Sequence, residues 1–322
     1  MSDRIIGPLR RRGQGIFIDD LATGRAGPSF GPSSYEKWLV TDRKSQTQKT
    51  RREVPILARL TQLYESRGIR VSTGLNPSHF GDFALAPFTW FIRDGASLTN
   101  GLGIALQEIY FAECLFERFH PQRIFVIGNS AGWSTFALAL LNPSAKIVAI
   151  DAGFDKNALE GIEFTNSVAA QEGLSARAVQ GISPGDVELV VLDCQLAPIE
   201  CVLIDGYHSV EQVERDFDAV SPHAAPHCIY LFHDVETFNL HQGLKRIAAK
   251  SGLAWDLLLG TTSGMAVMYD RAHRSAALDD IAPFIVDREL AEFVRHAAWS
   301  HRHRHLARWR RSLRKRGWIG DR

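Results

Sequence analysis

The sequence has no strong charge bias: 37 Lys and Arg stand against 36 Asp and Glu over 322 residues, a formal net charge of +1. A near-neutral chain has no global preference for nucleic acid or an anionic membrane, so any such preference must come from local clustering. Cysteine is scarce too. Cys114, Cys194, Cys201 and Cys228 are scattered without a C-x-x-C pair, which argues against a disulfide framework and a structural zinc site and suits a reducing compartment. No apolar run approaches the roughly 20 residues needed to span a bilayer. Arg4, Arg10, Arg11 and Arg12 are not followed by an apolar stretch of signal-peptide type, so a cytoplasmic protein is expected. The 45% hydrophobic content is enough for one large α/β core or two modest ones.

The most informative stretch is Ile124 to Ala137, Ile-Phe-Val-Ile-Gly-Asn-Ser-Ala-Gly-Trp-Ser-Thr-Phe-Ala. Four apolar residues bounded by glycine read as a fully buried parallel strand, and Thr135 to Leu141 as the start of a helix packed on it. Gly128 and Gly132 let backbone approach a ligand, and the following helix presents unpaired N–H groups. Two chemistries fit. Gly128-Asn129-Ser130-Ala131-Gly132 matches G-x-S-x-G, the nucleophile elbow of α/β-hydrolases. The same residues also read as Gly-x-x-x-Gly-Trp-Ser, a nucleotide-binding turn. Glycines there can equally serve only helix-sheet packing.

Further along, Lys146 to Ile150 reads as a second buried strand ending at Asp151, about 20 residues past the glycines, where an acid can accept ribose hydroxyls. A lone Asp at a strand end is as commonly a turn or cap residue. Ala176 to Gln180 suggests a third strand, followed by Gly181-Ile182-Ser183-Pro184. Cys201 to Ile204 is a fourth, ending in Asp205-Gly206-Tyr207-His208-Ser209, and Ile229 to Phe232 a fifth, ending in His233-Asp234. Strand ends of an open parallel sheet line one crevice, so Asp205, His208, His233 and Asp234 are expected near the glycine turn. Trp255 to Leu259 and Met265 to Tyr269, joined by a Gly-containing turn, read as a hairpin. Upstream, Pro55 opens a helix that stops at Gly68, Asn76 to Ser97 reads as an aromatic loop, either a lid or plugs over a sheet edge, and Gly101 to Phe119 reads as a helix. Ser33 to Glu36 is a capping-box candidate before a short helix, and Thr41 to Arg52 reads as a polar linker.

The Gly-x-x-x-Gly-Trp-Ser turn, with Ile-Asp-Gly-x-His-Ser and a later strand ending His-Asp, resembles class I S-adenosylmethionine (SAM) methyltransferases. The likeness is to the catechol and caffeoyl-CoA O-methyltransferases and related small bacterial enzymes, and covers about residues 101 to 270. It implies a Rossmann-like, doubly wound α/β sheet of about seven strands, mostly parallel and closed by an antiparallel hairpin. Residues 1–100 would be an N-terminal extension capping the acceptor pocket, and 271–322 a basic helical tail. The resemblance places Gly128, Asn129, Ser130, Gly132 and Ser134 at the methionine part of SAM, Asp151 at the ribose, and Ile182 and Ser183 at the adenine. Asp205, His233 and Asp234 fall at its divalent-metal position, Mg²⁺ or Mn²⁺, and His208 where the family has a lysine base. Imidazole suits that task because it ordinarily titrates near neutrality. Two departures stand out. Val126 replaces an acid that would anchor the cofactor's amino group, and His233 brings nitrogen to a site otherwise made of oxygen. His233 could instead orient Asp205 or substrate without a metal.

The function implied is SAM-dependent O-methylation of a small-molecule acceptor. Two alternatives remain: a methyltransferase-like domain that binds without catalysis, and a hydrolase with Ser130 as nucleophile, Asp205 as acid and His233 as base. Against the hydrolase stand the shortage of strands upstream of Ile124 and the terminal hairpin. Ile281 to Trp318 reads as helical and turns strongly basic (Arg302, Arg304, Arg308, Arg310, Arg311, Arg314, Lys315, Arg316), with Trp299, Trp309 and Trp318 interleaved. Such a tail can hold an anionic partner or simply be a solvated face. His301, His303 and His305 alternate with arginines that repel a cation, so they are discounted as metal ligands. A homo-oligomer is left open.

Overall fold

The computed structural model describes residues 55–80, 85–99, 103–155 and 157–315. The expected capping box at Ser33, the linker at Thr41 and the end of the basic tail lie outside the described residues. A compact unit begins at Val54 and runs to the C-terminus.

Its centre is a seven-stranded sheet of β4 (Arg123–Ile127), β5 (Lys146–Asp151), β6 (Ala176–Gln180), β7 (Ile199–Ile204), β8 (Ala224–Phe232), β9 (Ala254–Leu258) and β10 (Met265–Tyr269). Their spatial order is β6-β5-β4-β7-β8-β10-β9. β6, β5, β4, β7 and β8 are parallel, while β10 runs antiparallel to β8 and to β9. The doubly wound sheet with its closing hairpin is as expected. Alternate side chains feed two cores. Ile124, Val126, Leu203 and Leu231 face Phe111, Leu115 and Phe116 of α2 (Leu106–Phe116). Phe125, Val148, Val202 and Tyr230 face α5 (Val187–Asp193), α6 (Val210–Val220) and α7 (His241–Ser251). Burial on both faces explains the near-continuous apolar runs in these strands.

The N-terminal layer was only partly legible. α1 (Ile56–Glu65) forms where Pro55 and the Leu60/Leu63/Tyr64 stripe place it. The aromatic stretch 76–97, read as a loop, instead contributes β2 (Trp90–Arg93) and β3 (Ala96–Ser97), an antiparallel hairpin whose β2 also pairs antiparallel with β1 (Arg70–Ser72) in a separate small sheet. Asp94 and Gly95 turn that hairpin with φ of 51° and 75°, as an Asp-Gly two-residue turn should. Phe91 is fully buried and packs on Tyr64 and Trp133 at ring separations of 4.9 and 5.5 Å. It is a plug; Phe80, by contrast, is half exposed. At the other end, beyond the short α8 (Ala277–Asp280), α9 (Arg288–Arg302) and α10 (Arg304–Lys315) form the basic tail. No helix among the described residues is long and apolar enough to cross a membrane.

Candidate functional site

β4 leads into the glycine turn and then α3 (Trp133–Leu141). Gly128 has φ 98°, and a Cβ there would lie 2.1 Å from the backbone oxygen of Asp205. The turn is thus pressed against the end of the neighbouring strand, which only glycine permits. Gly132, at φ 84°, is the N-cap of α3 and has no side chain to occupy the amides of the first turn, leaving that helix N-terminus without a side-chain cap. Ser134 lies buried in that first turn.

The turn is held from three sides. Asp151 Oδ2 accepts the amides of Asn129 and Ser130 at 2.8 and 2.7 Å, and Oδ1 accepts Gly153 N–H at 2.8 Å. The Asn129 side chain turns inward: its Nδ2 donates to Thr165 Oγ1 at 3.1 Å and its Oδ1 accepts from Thr135 Oγ1 at 3.0 Å, with all three residues buried. Tyr64 of α1 donates its hydroxyl to Ala131 O at 2.9 Å. The Asn129 side chain therefore shapes the turn from within. Asp151 stands where expected at the end of β5 but already clamps three amides. Tyr64 and Thr165, the latter on α4 (Ala158–Glu172), were not singled out, because their partners are 67 and 36 residues away in sequence. Ile182 and Ser183 follow β6. Ile182 is 51% exposed, while Ser183 Oγ donates to Asp216, a carboxylate of α6 that is 1% exposed and also takes Gln212 Nε2–H at 2.8 Å. Burial raises the Asp216 carboxyl above the usual range despite those two donors. Val126 is fully buried between the sheet and α2, so it offers nothing polar to a ligand.

On the other side of β4, the loops after β7 and β8 bring Asp205, His208, His233 and Asp234 together, each presenting an atom within 4.8 Å of the others. The strand ladder continues past the strand ends to fix them: Asp205 N–H donates to Ile127 O at 2.9 Å and His233 N–H to Ile204 O at 3.0 Å. His208 Nε2 is 3.3 Å from Asp205 Oδ1 and 3.6 Å from Asp234 Oδ2, and its ring stacks on Phe238 at 4.7 Å. His233 Nδ1 lies 3.0 Å from Asp205 Oδ1 and 3.4 Å from Asp234 Oδ2. Its Nε2 faces Glu108 of α2 at 3.0 Å. Glu108 was missed, since nothing in its helix's sequence points to a strand end 125 residues away.

Electrostatics tie the cluster together. Burial opposes ionisation of Asp205, yet the imidazoles of His233 and His208 outweigh it and hold the carboxyl well below the usual range. Burial likewise disfavours a charged His233, but Asp205 and Glu108 raise it well above the ordinary histidine value. Glu108 is correspondingly lowered, with His233 and the amide donors overcoming its burial. The hydrolase arrangement fails on this geometry: both His233 ring nitrogens face carboxylates rather than Ser130, and among the described residues the sheet has no strand before β4.

A family model described as a methyltransferase domain matches residues 125–235. The match spans about a third of the chain. It runs from β4 to the loop after β8 and contains every residue of the turn and the cluster except Glu108. No curated protein sequence matches the chain. Among solved structures, the chain is similar to the O-methyltransferase TomG from Streptomyces achromogenes in complex with SAM, at 15% identity and TM-score 0.43, over 68% of this chain and 91% of TomG. It is also similar to the O-methyltransferase from Bacillus cereus in complex with S-adenosylhomocysteine (SAH), at 15% identity and TM-score 0.41, over 73% of this chain and all of that one. MycE of the mycinamycin pathway, with Mg and SAH, matches at 20% identity and TM-score 0.37, over 50% of this chain and 48% of MycE.

Proposed function

We propose that the chain is a SAM-dependent methyltransferase that methylates an oxygen of a small-molecule acceptor, with His208 as base. The observation that carries this reading is the contact of the two halves of the site: the glycine turn of the methyltransferase domain lies against Asp205, whose carboxylate is 3.3 Å from His208 Nε2. A ligand held by the turn thus has a proton acceptor beside it.

The residues fit the cofactor. Asp151 uses three of the roughly four acceptor positions of a carboxylate, leaving room for one ribose hydroxyl. The N-terminus of α3, which has no side-chain cap, suits the methionine carboxylate, and exposed Ile182 offers an apolar face to the adenine. When bound, SAM supplies a sulfonium methyl for in-line transfer. His208 takes the acceptor's proton at the ring nitrogen turned away from Asp205 and Asp234, and these two carboxylates, which face its Nε2, stabilise the imidazolium so formed. Phe238 restricts the His208 ring by stacking. Asp205, His233 and Asp234 would hold a divalent ion, which would polarise the acceptor hydroxyl. The reading is tested by incubating the protein with methyl-labelled SAM and a panel of hydroxylated acceptors, looking for label on oxygen.

The basic tail supports an anionic partner. α10 carries Arg304, Arg308, Arg310, Arg311, Arg314 and Lys315 and no acid, while Leu306 and Trp309 are more than half exposed. Apolar residues at 306, 309 and 313 share one face at helical spacing, opposite 308 and 315.

A further inference from the structure

Resting on the reading of Asp205, His233 and Asp234 as metal ligands, we infer that Glu108 fixes His233 as a nitrogen donor, so that the centre takes a transition-metal ion in preference to Mg²⁺. Glu108 is 1% exposed and belongs to α2, outside the strand-end loops. Its Oε2 accepts Ala105 N–H at 2.7 Å and its Oε1 accepts Ser263 N–H at 2.9 Å. Two fixed amide donors hold it as a carboxylate, which can only accept. The His233 nitrogen facing it at 3.0 Å, Nε2, must therefore carry a proton.

That assignment leaves Nδ1 for the cluster. Nδ1 is buried, has no hydrogen bond of acceptable geometry, and points at Asp205 Oδ1 and Asp234 Oδ2. Asp234 Oδ1 is likewise buried without a partner. Native interiors rarely orphan two such atoms side by side. Two carboxylates converging on Nδ1 within 3.4 Å call for a positive charge there, which a proton on Nδ1 supplies in the free protein and a bound ion would supply in its place, the proton leaving to solvent. Asp234 is held at φ 55°, an uncommon conformation for a non-glycine residue and one often retained where side-chain placement matters.

The donor chemistry then selects the ion. Mg²⁺ prefers an all-oxygen octahedron and gives up its waters reluctantly, whereas imidazole favours later first-row divalent ions. The Glu108–His233 contact has the form of a carboxylate–histidine–metal relay, in which the outer carboxylate sets the tautomer and raises ligand basicity. Glu108 is thus a positioning residue acting through His233.

The test uses the purified full chain stripped of metal with chelator. Mn²⁺ is titrated by calorimetry and by electron paramagnetic resonance, Mg²⁺ competes, and SAH affinity is measured on the same samples. The expected result is Mn²⁺ binding with nitrogen hyperfine coupling that disappears in His233→Gln, and no displacement by a large excess of Mg²⁺. Glu108→Gln should weaken Mn²⁺ on the order of 10–100-fold while SAH affinity is kept. If Glu108→Gln fails to fold, the wild-type competition and the nitrogen coupling decide. Equal affinity for Mg²⁺ and Mn²⁺, absence of nitrogen coupling, absence of any metal binding, or a Glu108→Gln variant that folds with unchanged Mn²⁺ affinity would overturn the inference. SAH binding without metal selectivity would sink the inference alone; selective metal binding without SAH binding would sink the methyltransferase reading alone.

Discussion

Replacing Asp151 by Asn should destabilise the protein even with no ligand present. The carboxylate accepts three backbone amides at 2.7 to 2.8 Å, two at Oδ2 and one at Oδ1. An asparagine can keep its oxygen on Asn129 and Ser130, but its amino group then faces Gly153 N–H, donor against donor. Charge-assisted hydrogen bonds are worth about 1.5–3 kcal/mol each, so losing one gives a loss of about 2 kcal/mol once solvent partly satisfies Gly153. For a domain of this size that is roughly 4–8 °C in Tm. The assay is urea and thermal denaturation of both proteins, each with and without SAH. Asp151→Asn should unfold earlier in the absence of SAH and gain less from it. Unchanged ligand-free stability would refute the clamp and leave Asp151 as a ligand residue only.

Other consequences are simpler to state. His208→Ala should lower methyl transfer by on the order of 10²–10⁴ while leaving SAH affinity intact, since the base acts on the acceptor; transfer at the wild-type rate would remove His208 from that role. Gly128→Ala puts a Cβ 2.1 Å from Asp205 O, so a drop in both stability and SAH affinity is expected, and a variant as stable as wild type would show that the two strand ends are not in register as described. The tail should bind anionic but not zwitterionic vesicles in a flotation assay, with binding lost at high salt and on Trp309→Glu; binding that ignores lipid charge would discard the electrostatic account.

The sheet was legible because its strands are short apolar runs with glycine or acid at their C-terminal ends, a pattern set by burial on both faces. Lys146–Asp151 and Met265–Tyr269 fall where their residues placed them. The Asp94-Gly95 hairpin was equally legible in principle, since its two-residue turn has a recognisable signature, but the surrounding phenylalanines and prolines suggested a loop. Glu108, Thr165 and Tyr64 could not be read. Each is an ordinary helix residue whose importance comes from a partner far along the chain, and periodicity reports which face of a helix is buried without saying what lies opposite. Asp151 shows the boundary well: spacing put it at the strand end, but only the directions of the amides of Asn129, Ser130 and Gly153 reveal it as a clamp.

The most direct test of the central claim is calorimetric titration of the purified protein with SAH. The account expects saturable binding near micromolar, about −8 kcal/mol, weakened by Asp151→Asn and unaffected by His208→Ala. No detectable heat or competition with or without divalent metal would contradict it, because a turn built from Gly128, Gly132 and a helix end without a side-chain cap would then hold no cofactor.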